Sequence, residues 1–175
     1  MSEGDSLSKA GKYEALYTKL SKAPRDGSFP ENACREINET MGFLWTGFYY
    51  VKDERLILGP YFGPPACEMI RKGKGVCGTA WEKETTLVVQ DVHAFPGHIA
   101  CDSASRSEIV IPVRFDGKIA AVLDIDSPVE NRFSGKDRQG LEAFVRIIEE
   151  VTVWQEADCN PAGEQENAVR SRMEI

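Results

Sequence analysis

Cys101 sits in the segment DVHAFPGHIACDSASRSEIVIP, residues 91–112, between a Gly- and Pro-bearing loop that holds both histidines and an apolar run that opens with Glu108. A loop thiol followed by a carboxylate at the mouth of a buried strand is the pattern of a reactive sulfur working beside an acid. Two further cysteines, Cys67 and Cys77, lie upstream in Gly- and Pro-rich sequence, where a flexible backbone can bring a second thiol close. These residue types point to redox thiol chemistry on a small polar substrate. Downstream, VLDIDSP places Asp124 and Asp126 two residues apart. The period of a strand puts both carboxylates on one face, and Glu108 opens the partner strand of the same hairpin. Three carboxylates at one sheet edge repel one another, which raises at least one pKa. A carboxylic acid kept protonated near neutral pH can donate a proton or a hydrogen bond to a substrate oxygen. The pattern leaves equally open that the two aspartates cap a turn before Pro128.

Other residues carry weaker signals. His93, His98 and Cys101 form an H-x4-H-x2-C spacing that matches no common zinc site and lacks an evident fourth ligand. Both histidines therefore read as loop residues bonded to backbone, and no metal is expected. Trp45, Tyr49 and Tyr50 could form an aromatic wall suited to a cationic or methyl-bearing ligand, although core packing is the commoner fate of such residues. Strand alternation puts Trp45 and Tyr49 on one face and Tyr50 on the other.

The elements that must position these residues follow from periodicity. Residues 6–20 carry apolar side chains at three- and four-residue steps and read as a helix. A second helix is expected over residues 30–40, with Pro30 in its first turn and Cys34 on its apolar stripe as a packed core thiol. Residues 43–51 read as a strand, turned by Lys52-Asp53 into another over residues 55–58. Residues 59–78, dense in glycine and proline, read as a long irregular loop of the kind that often serves as a lid. A short helix is expected over 76–83 and a strand over 86–89. Asp116-Gly117 joins strands 108–115 and 118–126 in a hairpin. Residues 134–154 form an amphipathic helix, with Ser134 as N-cap and Asp137 completing a capping box. The order is that of a single α+β domain with a largely antiparallel sheet. That domain is expected to span residues 1–157, followed by a polar tail, 158–175, that contains Cys159.

At 175 residues the chain can bury a core without disulfide staples. Its net charge of -7 argues against nucleic acid as a partner, since phosphate binding needs a basic face. Neither a secretory signal nor an apolar run of membrane-spanning length is evident, so a cytoplasmic protein without a membrane partner is expected. Five cysteines, no CxxC pair and no signal peptide do not make a secreted disulfide framework.

The blocks PYFGPPAC, GKGVCGTAW, QDVHAFPGHIACDSASRSEIVIP, VLDIDSP and RFSGKDRQGLEAF resemble the free methionine-(R)-sulfoxide reductase family, whose fold is GAF. The resemblance covers roughly residues 45–154, and GHIACD is specific to that family among GAF domains. It implies a reductase that returns free methionine-(R)-sulfoxide to methionine. On the matching positions it makes Cys101 the catalytic cysteine, Cys67 the resolving cysteine and Cys77 a third that is catalytic or faces the reductant. It makes Glu108, Asp124 and Asp126 the active-site carboxylates and Trp45 and Tyr49 the aromatic pocket. It also implies a Cys67–Cys101 disulfide reduced by a thioredoxin-like dithiol and no bound cofactor; the oligomeric state is left open by the sequence, a homodimer among the options. Cys34 and Cys159 lie outside the motif. Two other readings stay open: a GAF sensor of cyclic nucleotides or similar small ligands, and a thiol peroxidase.

Overall fold

The computed structural model describes residues 7–99 and 101–150. Six strands make one sheet in the order β3-β2-β1-β6-β5-β4: β1 Trp45–Lys52, β2 Arg55–Phe62, β3 Met69–Arg71, β4 Leu87–Val89, β5 Ser107–Phe115 and β6 Lys118–Ser127. All neighbours are antiparallel, as the hairpin-rich sequence requires. The β5–β6 turn holds Asp116 and Gly117 at positive φ, 50° and 74°, the backbone that a two-residue hairpin needs. The β1–β2 turn is made by Asp53 and Glu54, both at positive φ, one residue later than the sequence suggests.

Helices α1 Lys9–Ser21, α2 Phe29–Met41 and α4 Gly135–Glu149 pack on one sheet face. Their core includes Phe48 of β1, Ile109 and Ile111 of β5 and Leu123 and Ile125 of β6. Helix α3 Gly75–Lys83 lies on the other face. There Trp45, Tyr49, Val110 and Val122 form a second, smaller core. The period of two thus assigns alternate residues of each central strand to different layers. Cys34 is fully buried in the first core, as its place on the α2 stripe predicts. The Ser134/Asp137 capping box is formed. Asp137 also accepts from Lys9 Nζ at 2.7 Å, Tyr13 Oη at 2.9 Å and Arg132 Nη1 at 3.3 Å, which ties α1 to the start of α4. The expected end of α4 beyond residue 150, the tail with Cys159 and the domain boundary near 157 lie outside the described residues.

The long irregular loop expected over residues 59–78 is not what forms. Strand β2 continues through Gly59 and Pro60 to Phe62, then β3 pairs back onto it, and α3 begins at Gly75. The register shift between Gly47 and Tyr49 leaves Gly59 and Pro60 together opposite Phe48, so the proline sits at a bulge. Gly47 is required there, because a Cβ would collide with the Trp45 ring folded across the strand. Gly78 is needed for a similar reason: a Cβ would strike the Arg71 carbonyl and lift α3, with Cys77, off β3.

Candidate active site

The site is built on the face of the sheet opposite the three-helix layer. Register pairs Asp126 with both Glu108 and Trp45, and Asp124 with both Val110 and Gly47. Glu108, Asp124, Asp126, Trp45 and Tyr49 therefore face one cavity, closed on its far side by Cys77 of α3 and by Cys101. Asp124 and Asp126 belong to the strand and cap no turn. The cavity encloses about 30 Å³, room for a water or two.

The segment carrying Cys101 is pinned at its base. Val92 N–H donates to the Arg106 carbonyl at 2.9 Å and Arg106 N–H to the Ser127 carbonyl at 2.8 Å, so the chain between them folds back over the cavity. Cys67 approaches from the β2–β3 connection, which the aromatic residues hold. Trp45 Nε1–H donates to the Pro64 carbonyl at 3.0 Å, and Tyr49 Oη–H donates to the Cys67 carbonyl at 2.9 Å. Cys67 and Cys101 are joined as a disulfide, with a Cα–Cα distance of 5.2 Å. Trp45 and Tyr49 thus have a second role, anchoring the segment that delivers the second thiol.

Glu108 and Asp124 are 6% and 7% exposed, so neither can rely on water to stabilise a charge. Burial, followed by the charges of Asp124 and Asp126, pushes the Glu108 carboxyl well above the usual carboxylate range. Burial also raises Asp124, but the polar groups of Cys77 and Glu108 beside it work the other way. Asp126 is pushed up by burial and by Asp124, while the Ser105 hydroxyl donating at 2.5 Å opposes the shift. Like charges packed in low dielectric cannot all ionise. Glu108 and Asp126 are consequently the groups that keep a proton, and Asp124 the one best placed to keep a charge.

Cys77 is 3% exposed, with Sγ 3.9 Å from Glu108 Oε1. Burial and the neighbouring carboxylates push its thiol well up, so it stays protonated. A role facing a protein reductant does not fit this position, because α3 covers the sulfur. His98 corrects a second expectation. Both of its ring nitrogens are shielded from solvent and have no hydrogen-bond partner, and the residue lines the cavity. Ile99 lies over Gly75 at the same cavity, where a Cβ added to the glycine would press on the Ile99 side chain. His93 donates its backbone N–H to Asp91 Oδ1 at 2.9 Å, and its side chain stays exposed. Ser105 escaped the sequence reading altogether. Its only signal is its place three residues before Glu108.

The match to known proteins is consistent with this geometry. Residues 31–151 match the family model described as "GAF domain". The chain belongs to the GAF domain family.

Among curated relatives of this GAF chain, "Free methionine-R-sulfoxide reductase" of Escherichia coli is 50% identical over 107 residues, 61% of this chain and 65% of that protein. The Saccharomyces cerevisiae protein of the same name is 44% identical over 115 residues, 63% of this chain and 64% of that protein. The chain thus spans just under two thirds of the length of these two relatives. Among solved structures, the free methionine-R-sulfoxide reductase of Neisseria meningitidis in complex with its substrate is 38% identical with a TM-score of 0.77. That match covers 85% of this chain and 90% of the other. The resemblance read from the sequence blocks therefore holds in both sequence and structure. No helix among the described residues is long and apolar enough to cross a membrane.

Proposed function

We propose that this GAF domain is a thiol-dependent reductase of free methionine-(R)-sulfoxide. The observation that carries the reading is the meeting of Cys101 and three shielded carboxylates around one cavity, with Cys67 within disulfide reach of Cys101. Each feature suits a part of the substrate. A sulfoxide sulfur becomes electrophilic when its oxygen receives a hydrogen bond or proton, which a neutral Glu108, aided by Asp126, can supply. The substrate ammonium pairs with Asp124, whose Oδ1 is buried and without a hydrogen-bond partner. Trp45 covers the S-methyl end. The substrate carboxylate needs a donor in an otherwise acidic pocket, and His98 offers an N–H there. Burial lowers the His98 pKa, with His93 adding to the effect, so the ring is neutral and has one donor nitrogen.

In the first step Cys101 sulfur attacks the sulfoxide sulfur, the S–O bond breaks, and the oxygen ends on Cys101 as a sulfenic acid while methionine leaves. The carboxylates disfavour a Cys101 thiolate in the free enzyme, so the thiol gives up its proton as substrate binds. The Cys67 thiol then displaces water from the sulfenic acid, forming the Cys67–Cys101 disulfide, and a thioredoxin-like dithiol takes that bond's place in its own disulfide. This form of the pocket, closed to the size of a water or two, is the product state awaiting reduction. No prosthetic group is needed, and the chemistry suits a reducing cytoplasm. An anionic nucleotide is disfavoured as ligand, because each carboxylate would repel its phosphate.

The test is a coupled NADPH assay with a thioredoxin system, comparing both epimers of free and peptide-bound methionine sulfoxide and including Cys101→Ser. Turnover should be confined to the free R epimer and vanish in Cys101→Ser. Retained turnover in that variant, or peroxide consumption at a comparable rate without any sulfoxide, would overturn the proposal.

A further inference from the structure

We infer that Cys77, Glu108 and Asp124 form a binding site for a thiophilic divalent cation, Zn²⁺ or Cd²⁺, that shuts the pocket against substrate. One ligand atom from each, a sulfur and two carboxylate oxygens, lies within 4.8 Å of the others, and all three residues are buried. Tetrahedral zinc with one sulfur and two oxygen ligands sets those atoms about 3.3–3.6 Å apart, so only small side-chain adjustments separate this arrangement from a coordination sphere. The three residues come from α3, β5 and β6, which pack directly on one another, so the ligands are held before any ion arrives.

A separate observation points the same way. Asp124 Oδ1 is shielded from solvent, has no hydrogen-bond partner and sits on the cavity wall. A buried carboxylate oxygen without a partner is costly, and a cation bound to it removes that cost. The thiol decides which cation. Oxygen-only sites take Mg²⁺ or Ca²⁺, whereas a sulfur ligand selects zinc, cadmium or other soft ions. On binding, the metal replaces the Cys77 thiol proton and the proton held among the carboxyls, and these pass to solvent. The ion would occupy the corner assigned to the substrate ammonium, so metal and sulfoxide exclude one another. That last step rests on the reductase reading; the site itself does not. Neither Cys67 nor Cys101 is a ligand, which separates this site from any metal bound by the redox pair. The constellation is absent from the sequence as a motif, because its members are 31 residues apart between Cys77 and Glu108 and meet only through the sheet.

The experiment titrates full-length protein, with the Cys67–Cys101 disulfide formed, with Cd²⁺ and follows the ultraviolet thiolate-to-cadmium charge-transfer band. One saturable ion per chain is expected. Cys77→Ser should abolish the band, while Glu108→Gln and Asp124→Asn should keep it and weaken affinity at least tenfold. An unchanged titration in Cys77→Ser, which would place the metal on Cys34 or Cys159, overturns the inference, as does no binding to the disulfide form. If Cys77→Ser does not fold, the two carboxylate variants decide: unchanged affinity in both refutes the site. In a Cys67→Ser/Cys101→Ser protein, free methionine-(R)-sulfoxide should raise the apparent Cd²⁺ dissociation constant at least tenfold. Calorimetry of the sulfoxide with that protein, without metal, separates the two ideas. Sulfoxide binding without competition refutes the shared corner, whereas no sulfoxide binding at all counts against the reductase reading.

Discussion

Replacing Glu108 by glutamine keeps the shape and a hydrogen-bond donor but removes the acidic proton. Glu108 is 6% exposed and faces Asp126 across the β5–β6 ladder, with Asp124 on the same face. If Glu108 polarises the sulfoxide oxygen, the loss should resemble that of a general acid, about 10²–10⁴-fold in kcat. Substrate KM should move much less, because glutamine still fills the site. The same substitution has a signature in stability. Burial and two neighbouring charges raise the folded-state pKa of Glu108 above its unfolded value. The native state therefore holds a proton that the unfolded chain releases, and this contribution is fully present below the unfolded pKa and lost as pH rises through the folded one. In that window wild type loses about 1.4 kcal/mol per pH unit for this proton, a slope that Glu108→Gln removes. The variant should be the more resistant to denaturant at pH 8, and the difference should shrink toward pH 4. Steady-state kinetics and urea unfolding across that range read both effects. Turnover within threefold of wild type, or parallel stability profiles, would refute the assignment of Glu108 as the protonated acid.

Cys67→Ser should still complete one turnover but stop at the Cys101 sulfenic acid, which dimedone traps and mass spectrometry detects; a disulfide between Cys101 and another cysteine after that turnover would remove Cys67 from the resolving role. His98→Ala should raise KM for the free amino acid about tenfold, the scale of one lost hydrogen bond to a charged group, with partial rescue by His98→Asn. An unchanged KM would dismiss His98 as the carboxylate donor. Asp137→Ala leaves Lys9, Tyr13 and Arg132 without their shared acceptor and should cost about 3 kcal/mol, visible as a fall in Tm of roughly 6–12 °C. The Asp137 carboxyl is held down to about 2, mainly by hydrogen bonds from Lys9 and Ser134 that outweigh its burial. Its stabilisation is therefore present above the unfolded pKa near 3.8 and is lost as pH falls through about 2, so the variant's deficit should fade in acid.

The chain order alone determined the two-layer logic of the sheet. Period-two alternation pairs Trp45 with Tyr49 and Asp124 with Asp126 on one face of their own strands, while the β1–β6 and β5–β6 registers decide that the aromatics, Glu108 and the two aspartates share a face. Asp116-Gly117 sets the hairpin turn for an equally local reason, but that turn alone would pair Glu108 with Ile125; the register shift between Val113 and Arg114 moves the pairing by one residue and brings Glu108 to Asp126. Ser134 and Asp137 announce the start of α4 in the same way. Residues 59–78 were misread because their glycines and prolines are local signals, whereas the β2 bulge at Gly59-Pro60 and the pairing of β3 with β2 are long-range facts. His98 and Cys77 show the same limit. Whether a loop imidazole turns to solvent or into a cavity, and whether a helix thiol meets a carboxylate 31 residues away, depends on which layers pack together. Local chemistry in the sequence thus named the thiols and the carboxylates, while tertiary packing decided their solvation. Solvation sets which acid keeps its proton, which thiol stays neutral and which oxygen is left for a cation.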